Sequence, residues 1–136
     1  GAPLLGVRVP VWGAATGLRP VDGAPPLPPR APVTGIAPIA AYRSGLIAVP
    51  LFVLFGPDAI EYRLVDAGAT ALITDRANWP KVAEVRDRLP DLRTIIVVGR
   101  AGFDGTLDLA TETTAAAEDF RTVHSVVDDP YIHIFT

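Results

Sequence analysis

The stretch 46-LIAVPLFVLFGPDAIEYRLVDAGATALITD-75 decides the fold. It opens on a short apolar run, Leu46 to Phe52, that reads as a buried strand. A turn at Gly56 follows. Pro57 then stands where a first-turn proline is tolerated, with Asp58 and Glu61 near the positive end of a helix dipole. Ile60, Leu64 and Ala67 recur at helical spacing and define the buried face, and Gly68 stops the helix. A second apolar run, Thr70 to Thr74, reads as the next strand. Strand, helix and strand in this order form a crossover unit.

The same grammar extends in both directions. Upstream, 39-IAAYRSG-45 reads as the end of a helix with Gly45 as its stop. Downstream, 78-NWPKVAEVRDRLP-90 reads as a helix, with Asn78 as its cap, Pro80 in its first turn and Pro90 beyond its end. The continuous apolar run Arg93 to Gly99 suits a strand buried on both faces. A short helix is expected from about Leu107 to Glu118, and 131-YIHIFT-136 closes as a strand. The expected class is therefore α/β, a mainly parallel open sheet with right-handed crossover helices.

Residues 1–38 have a different texture. They hold nine of the fourteen prolines and only four charged residues, Arg8, Arg19, Asp22 and Arg30. Proline removes backbone donors and fixes φ, so this segment is expected to be irregular, extended and the least ordered part of the chain. A short strand within Val7 to Trp12 is expected at a sheet edge, because Pro10 limits its pairing. The chain thus divides into a Pro/Gly-rich segment, 1–38, and an α/β unit, 39–136.

Composition excludes several function classes. The net charge is −3, Lys81 is the only lysine and the arginines are scattered, so no nucleic-acid or polybasic membrane surface is expected. Cysteine is absent, which removes thiolate catalysis, disulfides and Cys-based metal sites. No apolar run has the length of a membrane span, and the first ten residues make a poor signal peptide, so the expected setting is cytoplasmic.

Few residues invite chemistry. Gly56 with Pro57 shapes a helix N-terminus, a place where anions bind, but no glycine-rich loop accompanies it. Asp128 and Asp129 have the composition of an acid–base or metal pair; adjacent acids before a proline are more often a solvated turn opening a strand. His133 alternates with Ile132 and Ile134, which makes it a strand residue without a nameable catalytic partner. His124 lies in a polar linker and is expected to be solvated. Arg43 and Arg63 are expected to pair with acids or to cover apolar surface with their stems.

The order of the pieces adds what periodicity does not. The wording "YRSG…AVPLF…LFGPDA…YRL.DAGA.ALITD", within Ala40 to Asp75, resembles the N-terminal region of the adenylate-forming AMP-dependent synthetases and ligases, most of all the acetyl-CoA synthetase and medium-chain acyl-CoA ligase branch. "DLRTIIVVG" is similar to that family's next strand. "DDPYIHIFT" is similar to the segment that leads into its Thr-Ser-Gly-Thr-Thr-Gly phosphate loop. The resemblance runs from about Leu27 to Thr136.

It implies ATP, Mg²⁺ and CoA as cofactors and a carboxylic acid as substrate. It implies that Thr136, the first threonine of the phosphate loop, is a nucleotide-binding residue and that the rest of the loop lies beyond it. It further implies a partial N-terminal domain that is inactive alone; the alternative is a standalone α/β interaction or oligomerisation domain, whose last strand would offer an open edge for self-association. Arg43, Gly45, Pro50, Gly56, Arg63 and Gly68 become scaffold positions. Against the family pattern, Pro38 falls inside a helix, so that helix is expected to start near Pro38. The stretch upstream of Leu27 does not resemble the family, and a frameshifted coding region would produce its texture.

Overall fold

A computed structural model describes residues 5–8, 33–52, 54–99, 102–115, 122–124 and 126–135. The elements in chain order are β1 (Leu5–Arg8), α1 (Val33–Arg43), β2 (Ile47–Pro50), α2 (Pro57–Asp66), β3 (Ala71–Asp75), α3 (Trp79–Val85) with a 3₁₀ turn (Arg86–Arg88), β4 (Thr94–Val98), β5 (Leu107–Asp108) and α4 (Leu109–Ala115). The sheet order is β2-β1-β3-β4-β5. β3 pairs in parallel with β4, and β4 with β5, while β1 lies antiparallel between β2 and β3. Two strands antiparallel to the same neighbour run the same way, so β1 alone is reversed and the sheet is mainly parallel, as expected.

Period-two alternation separates two cores. On one face Val49, Leu72, Ile95 and Val97 meet Ile60, Leu64 and Ala67 of α2 and Val82 and Val85 of α3. On the other face Ala48 and Ala71 meet Ala37 and Ala41 of α1. Alanine on both sides lets that helix approach the sheet closely. Helices thus cover both faces of a sheet whose strands are continuous apolar runs.

The glycine stops behave as their type predicts. Gly45 has φ 70° and Gly68 has φ 59°. The N–H of Leu46 donates to the carbonyl of Ala41 at 2.8 Å, and that of Ala69 to Leu64 at 2.9 Å, each with the companion bond from the glycine itself. Both ends are Schellman motifs, which satisfy carbonyls that the helix leaves without partners.

Several expectations are corrected. α1 begins at Val33 and runs through Pro38, where a start near Pro38 was expected. A proline deletes one helical hydrogen bond, but Ala37 and Ala41 on either side remain buried against the sheet, so packing holds the helix together across it. β1 ends at Arg8, short of Pro10, so the proline does not confine it to an edge, and it lies inside the sheet. The remainder of the expected disordered segment lies outside the described residues.

Leu107 and Asp108 form a short parallel strand on β4, not the start of a helix, which begins at Leu109. Asn78 stands at the start of α3 but makes no side-chain cap. Its backbone N–H and its Nδ2 both donate to Asp75 Oδ1, at 2.8 and 2.9 Å, so Asp75 is the residue that closes this turn.

Candidate functional site

The C-terminal segment reaches the outer edge of β2. The amide of Ala48 donates to the Tyr131 carbonyl at 2.9 Å, and the amide of His133 donates to the Ala48 carbonyl at 2.8 Å. This is a single parallel bridge, Ala48 to Ile132, where a full closing strand was expected. The ladder stops for a local reason. Hydrogen-bonding direction alternates along a strand, so the next donor toward this segment belongs to position 50, and Pro50 has no N–H.

Upstream, Asp129 builds the turn that aims the segment. Its Oδ2 accepts from the Val126 amide at 2.9 Å, and its own amide donates to the Val126 carbonyl at 3.0 Å. Asp128 is exposed in that turn. The acid pair is therefore a turn, as its composition suggested. His124 is exposed. Beside it, the Val123 amide donates to the Arg43 carbonyl at 2.9 Å, and Arg43 Nε donates to Thr122 Oγ1 at 3.0 Å, which ties this approach to the end of α1.

Aromatic rings organise the far end of the segment. Tyr131 meets Tyr42 edge to face at 5.1 Å. Burial, and then the neighbouring Tyr131, push the Tyr42 hydroxyl above its ordinary value of 10.0. His133 stacks on Phe135 at 4.6 Å, and Tyr62 of α2 meets Phe135 at 6.2 Å. The Arg63 guanidinium lies 3.9 Å from the centroid of Phe55 and 5.6 Å from that of Phe135. Arg63 thus covers apolar surface, as expected of its stem, but does so with its charged head. This grouping of Phe55, Arg63 and Phe135 escaped sequence reasoning, since no periodicity links residues so far apart in the chain.

The described residues do not fit a Mg²⁺-nucleotide. Among them, no group of three or more His, Cys, Asp or Glu converges. The N-terminus of α2 begins at an extended Gly56 with no side-chain cap; Pro57 brings no donor, and Asp58 already places a carboxylate at the positive end. An open depression along α2 is lined by Asp58, Glu61, Tyr62, Val65 and Asp66, with Glu61 ion-paired to Arg88 at 2.8 Å. Thr136, the residue singled out for nucleotide binding, lies outside the described residues.

Residues 27–136 match the model of a family described as AMP-binding enzyme, a range that takes in every element above except β1. The acyl-coenzyme A synthetase ACSM1 of Mus musculus, designated mitochondrial, is 29% identical over 126 residues, which is 93% of this chain and 22% of that protein. The human mitochondrial acyl-coenzyme A synthetase ACSM5 is 26% identical over the same length and the same shares. The crystal structure of a Brucella canis acyl-CoA synthetase superposes with a TM-score of 0.69 at 30% identity, over 79% of this chain and 20% of that one. That of the anthranilate CoA ligase AuaEII, in complex with anthranoyl-AMP, gives 0.61 at 28% identity, over 63% and 17%. The chain spans about a fifth of the length of the relatives it matches.

Proposed function

The chain belongs to the AMP-binding enzyme family, and from that premise we propose that it is the part of an ATP-dependent acyl-CoA synthetase that leads up to the phosphate-holding loop. The parent reaction joins a carboxylic acid to CoA through an acyl-adenylate, releasing AMP and pyrophosphate. ATP, Mg²⁺ and CoA belong to that proposal, as does the carboxylic acid. Thr136 is proposed as the first hydroxyl of the loop.

The observation that carries the reading is the family match over residues 27–136. The similarity to the Brucella canis synthetase, at a TM-score of 0.69, supports it. We propose also that residues 1–136 do not catalyse adenylation alone. That rests on the chain spanning about a fifth of the length of the relatives it matches.

No helix among the described residues is long and apolar enough to cross a membrane. A cytoplasmic setting remains a proposal from composition, beside the mitochondrial designation of the mouse and human relatives.

ATP–pyrophosphate exchange with straight-chain acids from acetate to octanoate tests the proposal. The chain of 136 residues is expected to give none, and clear exchange overturns its inactivity. The coding DNA after Thr136 tests the assignment of that residue. Continuation into a Ser-, Thr- and Gly-rich loop supports it, and an unrelated continuation defeats it. A second reading, a non-catalytic interaction domain, is favoured by one observation: Leu54 and Val127 are 92% and 98% exposed.

A further inference from the structure

Past His133 the backbone has little hold on the C-terminal segment. The bridge at Ala48 ends the pairing with β2. Ile134 is exposed. Phe135, by contrast, packs against the main core, and three side chains converge on its ring: Tyr62 and Arg63 from α2, and His133 from its own segment.

Arg63 is the unusual member. Its Nη1 donates to the Ala59 carbonyl at 3.1 Å, but its buried Nε has no hydrogen-bond partner among the described residues. A buried donor left unsatisfied costs free energy, and an aliphatic residue at this position would avoid that cost. What an aliphatic residue cannot supply is a planar, delocalised cation within cation–π range of two rings at once. One ring, Phe55, belongs to the loop before α2; the other, Phe135, immediately precedes Thr136 in the sequence.

We infer that Arg63 is a positioning residue for the end of the C-terminal segment: through Phe135 it sets the direction in which the chain leaves the edge of β2. The inference rests on the reading above, in which the residue after Phe135 opens the phosphate-holding loop. Arg63 touches neither substrate nor nucleotide in this role; it acts through Phe135. The single bridge to β2 explains why a side-chain anchor is needed here.

Amide hydrogen exchange and the imidazole NMR signals of His133 test it, in the full chain carrying Arg63→Lys, Phe135→Leu or both. Arg63→Lys keeps the charge and the stem but loses the planar head. The His133 amide, bonded to Ala48, is expected to lose protection by about fivefold to tenfold in each single variant, and no further in the double. The His133 ring signals are expected to shift in both as the stack on Phe135 loosens. The amides of Leu72 and Val97 should keep their protection.

Equal loss at Leu72, Val97 and His133 would mean a general packing role and overturns the inference, as does an unmoved His133. Phe135→Leu carries the test even where Arg63→Lys does not fold. It must lower protection at His133 and shift the Arg63 Nε–H resonance, and an unmoved Arg63 resonance defeats the proposal. None of these readouts involves ATP. Detection of ATP–pyrophosphate exchange would therefore overturn only the claim of inactivity and leave the positioning role standing.

Discussion

Thr74 buries its side chain completely near the end of β3, and its hydroxyl has no hydrogen-bond partner. Its strand places it on the side of Leu72, toward the apolar core beneath α2 and α3. A buried hydroxyl without a partner carries a desolvation cost of roughly 1–3 kcal/mol, whereas a methyl group in its place carries none. Thr74→Val is therefore expected to stabilise the fold by about 1 kcal/mol, read as a higher urea midpoint at unchanged slope. A lower midpoint would mean that the hydroxyl does find an acceptor. At this scale, residue type was a good guide where the neighbours are local. The Asp128–Asp129 turn and the exposure of His124 are examples. It was a poor guide where a partner comes from a distant segment, as with Arg63 and Phe135. Nothing in the spacing of those two residues announces that they meet.

α1 shows how far local propensity can be overridden. A helix containing Gly35 and Pro38 is intrinsically weak. It persists because Ala37 and Ala41 close against Ala48 and Ala71 of the sheet. Pro38→Ala restores a donor inside the helix, a gain set against the conformational freedom it returns to the unfolded chain. The net expectation is stabilisation by about 1–2 kcal/mol with added helical ellipticity, checked by circular dichroism and urea melts. A neutral result would place the helix's hold wholly in its packing. The helices with clear signals were legible to within a residue or two. The α2 pattern of Pro57, Ile60, Leu64 and Gly68 states start, face and stop. The misreadings have physical causes. Asn78 looks like a cap, but its side chain donates back to Asp75, and the Lys81 amide of the first turn donates to the Asn78 backbone carbonyl instead. The last segment alternates like a strand, yet a strand needs a partner's donor, and Pro50 withholds it.

Over the whole molecule, the shared direction of the strands followed from crossover logic, except for β1. No pattern in residues 5–8 discloses an antiparallel strand inserted between β2 and β3, because that placement depends on the return path of the chain and not on the strand itself. The candidate site was legible only as a destination. The segment up to Phe135 is described, and the family match covers residues 27–136.

The same partial coverage bears on the surface. Phe52 and Leu54 lie exposed in one loop, and Val126 and Val127 in another, with Leu54 and Val127 almost wholly in solvent. With a net charge of only −3, repulsion between copies is weak. Exposed apolar side chains of this kind favour association through the loops that carry them. Sedimentation velocity over a roughly hundredfold concentration range is expected to show a rising weight-average coefficient. The double variant Leu54→Glu, Val127→Glu should flatten that rise without lowering the urea midpoint, because neither side chain belongs to the core. Association that persists unchanged in the variant would place the contact elsewhere, the exposed edge beside Ile134 being the next surface to test.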